Sequence, residues 1–200
     1  MSDLILFWHR RDLRIADNTG IEKALEKTRR VVGVFCLDPD ILQRDDIAAV
    51  RVTYMIGCLQ KLQARYERAG SQLLILRDKP VKAIPQLAKA LNAQAVFWNW
   101  DVEPYSQQRD ANVINGLKEK GIEYLEKNWD QLLNSPDSIR TGSNNPYTVY
   151  TPFWKNISSK PKDCPVEIVE KFEGLTDEEQ KTASKAGVVE LPTAKDLGFN

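Results

Sequence analysis

The chain has 200 residues, with 28 lysines and arginines balanced by 28 acidic residues for a formal net charge of zero. That length suffices for one domain with a real core, and 42% hydrophobic with 28% charged residues is ordinary for a soluble globular protein. The charge balance argues against a generally basic, nucleic-acid-coating surface, and no apolar run approaches the ~20 residues of a membrane span.

Residues 4–8 form a short apolar run that leads directly into His9-Arg10-Arg11-Asp12-Leu13-Arg14. Residues 19–27 have modestly amphipathic helical spacing. Residues 31–37, rich in β-branched side chains, read as a second strand closed by Asp38-Pro39. A long helix is predicted over 47–68, with Val50, Tyr54, Cys58, Leu62 and Tyr66 as a core-facing stripe and Met55 and Leu59 alongside. Gly70 is its stop signal. Residues 73–76 are the third strand. Pro80 suits a helix first turn, with Ile84, Leu87, Ala88 and Leu91 facing inward, and Pro85 predicts a kink or a later start. Residues 95–99 are the fourth strand. Pro104 opens a helix with Val113, Ile114 and Leu117 inside, and 122–125 reads as a fifth strand after Gly121.

Continuous apolar strands alternating with helices predict a Rossmann-like, doubly wound five-stranded parallel sheet with helices on both faces and right-handed crossovers. This α/β domain is expected over residues 1–132. After Trp129 the character changes. Asn134-Ser135-Pro136 and residues 141–146 are loop material. Thr151-Pro152-Phe153-Trp154-Lys155 is an aromatic island with a short helical prospect, so residues 133–160 are expected to close the domain. Residues 161–200 are polar and proline-containing and are expected to form an irregular interdomain linker. Cys36, Cys58 and Cys164 show neither metal spacing nor an even-numbered framework. They suit free thiols in a reducing compartment, and without a secretory signal at the N-terminus the expected location is the cytoplasm.

Open α/β sheets bind ligands at the carboxyl ends of their strands. Here three strand ends are polar: His9 to Asp12, Cys36-Leu37-Asp38, and Asn99-Trp100-Asp101-Val102-Glu103. Arg51 sits near the start of the long helix, where backbone N–H groups also point outward. These groups could converge on one crevice, walled by Trp100 and by Tyr105 or Tyr54. Carboxylates, backbone amides and a guanidinium of this kind suit a polar, planar ring system. His9 is the only histidine and lacks a partner motif, so it reads as structural. Asp101 and Glu103 also favour the N-terminus of the helix that follows them. There is no Gly-x-Gly-x-x-Gly after the first strand, no Walker loop and no Gly-x-Ser-x-Gly elbow. One histidine and scattered cysteines form no recognisable zinc site. The residues themselves describe a binding domain.

Five ordered stretches carry a family resemblance: Phe7 to Arg14, Cys36 to Pro39, Arg51-Val52-Thr53-Tyr54, Asn99 to Tyr105, and Tyr147 to Lys155. Together they resemble the N-terminal domain of class I cyclobutane pyrimidine dimer photolyases, in the photolyase/cryptochrome family, closest to the cyanobacterial-type branch that uses a deazaflavin antenna. The resemblance implies a small-molecule chromophore, 8-hydroxy-5-deazaflavin or alternatively a folate, held by Arg11, Cys36, Asp38, Arg51, Asp101, Glu103 and Arg109. Asp101 and Glu103 would accept from the ring, Arg51 and Arg11 would line its polar face, and Cys36 and Asp38 would form a wall. It further implies that FAD and the flipped-out lesion bind a helical domain, in cis or as a separate chain. That domain has no counterpart in these residues, so the chain alone is expected to be inactive and to meet DNA only through the full-length protein. Arg10 and Arg14 are expected to serve the interface with the helical domain, as are Phe153, Trp154, Leu191 and Phe199. A cryptochrome sensor domain, a stand-alone interaction module and a generic nucleotide-binding domain are the competing readings.

Overall fold

The computed structural model describes residues 3–130, 134–135, 138–166, 169 and 171–199. The expected 132/133 boundary, Pro136 of the first loop and the terminal Asn200 lie outside the described residues. Six strands form one sheet in the order β5-β4-β1-β2-β3-β6: β1 Ile5–His9, β2 Val31–Cys36, β3 Leu73–Leu76, β4 Ala95–Phe97, β5 Glu123–Tyr124 and β6 Val188–Val189. The first five pair in parallel, and β6 runs antiparallel to β3, with Ile75 opposite Val189.

The two faces of each strand feed two separate cores. Ile5, Phe7, Val31, Phe35, Leu73 and Ile75 pack under α1 (Thr19–Leu25) and α3 (Ala49–Arg68). Leu4, Leu6, Trp8, Val32, Val34, Leu74 and Leu76 pack under α4 (Pro80–Ala90), α5 (Pro104–Lys118) and α7 (Asp177–Lys185). Burial on both faces is why these strands read as unbroken apolar runs. A four-residue helix, α2 (Pro39–Leu42), follows β2, and α6 (Tyr150–Ser159) lies after the loops.

The expected five parallel strands are present, but the sheet has a sixth strand, and it comes from the segment expected to be an irregular linker. Thr176 caps α7 by accepting from the Glu179 N–H, while the Glu179 carboxylate accepts from the Thr176 N–H. This reciprocal box starts a helix in a polar stretch. Ala183 anchors α7 in the core, and Arg30 binds Glu179 through two bonds of 2.7 and 2.9 Å. Phe172 stacks on Tyr66 at 5.4 Å on the opposite face. The segment therefore wraps the β3 edge and covers what would be an open strand. Leu191 and Phe199 pack partly against the α1/α3 core of their own domain, whereas Trp154 is exposed and α6 buries no residue.

Two further expectations are corrected. The buried face of α3 is Val52, Ile56, Leu59, Leu62 and Tyr66, and Val50 and Tyr54 are the solvent side at 73% and 76% exposure. The stripe read at Val50 and Tyr54 lies on the wrong face because apolar residues recur at helical spacing on both sides of this helix. The helix α4 starts at Pro80, which excludes the later start, and its hydrogen-bonded span continues through Pro85. Gly116 of α5 accommodates that proline, since a Cβ there would meet the Pro85 ring at 2.9 Å.

Candidate functional site

The strand order reverses between β1 and β4, and the helices change faces at the same place. A crevice opens there, where strands diverge at their carboxyl ends. It holds about 250 Å3 and is bounded by the residues after β1, β2, β3 and β4. All seven predicted residues, Arg11, Cys36, Asp38, Arg51, Asp101, Glu103 and Arg109, line it.

The wall from β4 is built by local capping. Asp101 is buried and accepts from the Glu103 N–H at 3.1 Å and the Ser106 hydroxyl at 3.0 Å. Arg11 reaches across from β1 and pairs with Asp101 at 3.1 Å and Glu103 at 3.4 Å. Burial alone would raise the Asp101 carboxyl, but the Glu103 amide, Arg11 and Ser106 together hold it below the usual carboxylate range. Asp101 is therefore an acceptor, and Glu103 stands beside it at 54% side-chain exposure.

The wall from β2 carries Asp38, which is buried and caps α2 by accepting from the Asp40 N–H at 3.0 Å. Its other oxygen accepts from the Tyr105 hydroxyl at 2.6 Å. The Cys36 thiol donates to the Asp78 carbonyl at 2.9 Å, and burial pushes its pKa up to about 12. It is a packing and hydrogen-bonding group, not a nucleophile.

Arginine and tryptophan form the floor. The Arg109 guanidinium lies 4.8 Å from the Trp8 ring centroid and 5.6 Å from that of Tyr105, and donates twice to Asp110 at 3.0 and 3.2 Å. Arg10 pairs with the same carboxylate and with the Asn99 carbonyl. Arg51 is exposed at the rim, in the first turn of α3.

Behind the crevice a buried network fixes the strand ends. His9 Nδ1–H donates to the Asp12 carbonyl at 2.8 Å, leaving Nε2 to accept from the Tyr66 hydroxyl at 2.8 Å. Burial lowers the His9 pKa, with Asp12 opposing in part, so the ring is neutral and structural. Asn99 donates to Asp12 at 2.7 Å and to Asn18 at 3.0 Å, and accepts from Asn128 at 2.7 Å. Asn18 in turn caps α1. Arg14 is spent on Asp130 at 2.7 Å and on the Asp17 carbonyl. Arg10 and Arg14 thus both pair within this domain, Arg10 in its interior and Arg14 at its surface with 37% side-chain exposure.

The DNA photolyase family model matches residues 5–171. The chain belongs to the DNA photolyase family. Over its whole length it is 50% identical to a deoxyribodipyrimidine photo-lyase from Synechococcus, covering 41% of that protein. The fold matches a Synechocystis cryptochrome with a TM-score of 0.81 at 22% identity, over 98% of this chain and 40% of that one. It also matches an archaeal photolyase from Sulfolobus tokodaii, solved with two FAD molecules, with a TM-score of 0.75 at 27% identity over 96% of this chain and 40% of that one. The chain therefore spans about two fifths of the length of these relatives.

Within this photolyase-type domain, sequence reasoning missed several crevice residues. Trp8, Phe35, Ile41, Ile47, Arg44 and Asp46 all line it. The last four sit on or just after the four-residue α2, which is too short to give a periodic signal. Of the expected aromatic walls, Tyr105 lines the crevice, while Trp100 packs against Trp129 at 5.6 Å and Tyr54 faces solvent.

Proposed function

We propose that this domain holds a light-harvesting chromophore in the crevice, 8-hydroxy-5-deazaflavin in preference to a folate, as the antenna part of a deoxyribodipyrimidine photolyase. The observation that carries the reading is the convergence of Asp101, Glu103, Asp38 and five arginines on one crevice floored by Trp8 and Arg109. When bound, the chromophore absorbs blue light and passes excitation energy to FAD in a helical domain, present in cis or as a separate chain, that repairs pyrimidine dimers in DNA. Bond making belongs to that helical domain; this one supplies position and environment.

The residues fit such a group. A planar heterocycle presents N–H or hydroxyl donors at its edge and a polarisable face. Asp101 and Glu103 accept at the edge, and Trp8 with the stacked Arg109 offers a flat floor. Arg11 already bridges both acids, but its side chain is 59% exposed, so it swings aside at small cost. Arg51 remains at the rim for a polar or anionic substituent. Cys36 and Asp38 close the far wall. The likeness to the Synechococcus photo-lyase supports a repair role over a cryptochrome sensor. Three free cysteines support a cytoplasmic setting, and no helix among the described residues is long and apolar enough to cross a membrane.

The test is a titration of the purified, folded chain with 8-hydroxy-5-deazaflavin, followed by absorption and fluorescence. A saturable spectral change supports the reading, and an unchanged spectrum at high micromolar ligand overturns it.

A further inference from the structure

The outer face of α3 (Ala49–Arg68) combines two features that the crevice does not explain. It exposes apolar surface: Val50 and Tyr54 are 73% and 76% accessible. Next to them a shallow groove runs over Gly57, Cys58 and Ala64. The face is also one-signed. Arg51, Lys61, Arg65 and Arg68 are exposed, and Glu67 is the single acid of the helix, in a chain whose net charge is zero. Among the described residues none of these four cations pairs with a carboxylate, although Arg10, Arg14, Arg30, Arg44 and Lys82 elsewhere all do.

The exposed side chains fall on one face of the helix. Arg51, Tyr54, Cys58, Lys61, Arg65 and Arg68 succeed one another at intervals of three and four residues along one face. They span about 25 Å at the 1.5 Å rise of an α-helix. Gly57 faces open space, where a Cβ would meet nothing within 4 Å, and its missing side chain leaves room for a partner to approach.

We propose that this face of α3 docks an acidic amphipathic helix of a partner protein, about five turns long. Its apolar seam would lie over Tyr54, Gly57 and Cys58, and its glutamates or aspartates would face Lys61, Arg65 and Arg68. Charge complementarity selects an acidic partner, and the apolar groove at the centre selects a helix over a bare polyphosphate, which needs cations alone. The surface is separate from the chromophore crevice except at Arg51, so the inference stands independently of the antenna reading.

The experiment uses the full chain and two fluorescent 21-residue peptides of identical composition. One places leucines at seam positions flanked by glutamates, and the other scrambles the order. The patterned peptide is expected to bind at least tenfold more tightly by anisotropy. Lys61→Glu combined with Arg65→Glu is expected to weaken it at least tenfold. Gly57→Leu, whose Cβ meets nothing within 4 Å and whose side chain projects over the groove, is expected to do the same. Equal binding of the two peptides, no binding of either, or variants that bind like the unaltered chain would overturn the proposal. So would a 20-base-pair DNA duplex or an anionic phosphatidylserine vesicle that displaces the patterned peptide at lower concentration.

Discussion

The Tyr105 hydroxyl donates to the buried Asp38 carboxylate at 2.6 Å, tying the start of α5 to the end of β2 across the crevice. Tyr105 also covers Arg109, which lies on Trp8. One hydrogen bond thus links the far wall to the floor. Burial, and then Asp38 itself, push the phenol above its ordinary range, so it stays a donor at any physiological pH.

Tyr105→Phe keeps the ring and deletes that donor. One Asp38 oxygen then loses its protein partner, which costs about 1–3 kcal/mol for a buried acceptor. Urea unfolding at pH 7 measures it, and a change below about 0.5 kcal/mol, within the range of an ordinary surface substitution, would show that solvent replaces the bond.

The single histidine makes the acid response simple to read. His9 is fully buried with both ring nitrogens engaged, and burial lowers its pKa in the folded state. The unfolded chain then binds the extra proton, so stability is complete above the unfolded value of about 6.5 and falls by up to about 1.4 kcal/mol per pH unit below it. Urea midpoints at pH 7.5 and 5.5 should differ in that sense, and His9→Gln should flatten the difference. An unchanged slope in the variant would place the titration elsewhere.

The three thiols should separate by reactivity. Cys36 is buried with a pKa of about 12, whereas Cys58 is half-buried and Cys164 exposed. Iodoacetamide at pH 7.5 is expected to label Cys164 first and Cys58 next, and to leave Cys36 unmodified in the folded chain. Mass spectrometry of tryptic peptides reads the order, and early labelling of Cys36 would contradict its burial.

Phe172 lies within the segment that wraps the β3 edge. It is buried, stacks on Tyr66, and its N–H donates to the Ala69 carbonyl at 2.7 Å. Phe172→Ala should cost about 3–5 kcal/mol, as for other buried aromatics truncated to alanine. Chemical denaturation measures this, and a loss under about 1 kcal/mol, the level of a typical point substitution, would mean that the segment packs loosely.

The parallel strands were legible because strands buried on both faces read as apolar runs, and their polar ends marked the crevice. Three parts were not legible, each for a physical reason. The helix α3 carries apolar residues at helical spacing on two faces, so periodicity alone did not separate Val52 and Ile56, which are buried, from Val50 and Tyr54, which are not. The polar α7 buries only Ala183, and β6 has two residues, so neither gave an amphipathic signal. The Thr176–Glu179 capping box was the one local mark of that helix. Finally, the destinations of Arg10 and Arg14 depend on Asp110 and Asp130, about a hundred residues away in each case, and no local pattern reveals such a pairing.

Asp101 and Glu103, the two acceptors beside Arg11, are the groups that would recognise the chromophore edge. A titration with 8-hydroxy-5-deazaflavin should compare the unaltered chain with Asp101→Asn combined with Glu103→Gln, each shown to be folded by circular dichroism. One-to-one saturation of the unaltered chain and at least tenfold weaker binding by the double variant are the predicted results. Equal affinity of the two proteins would contradict the account by placing the chromophore somewhere other than this crevice.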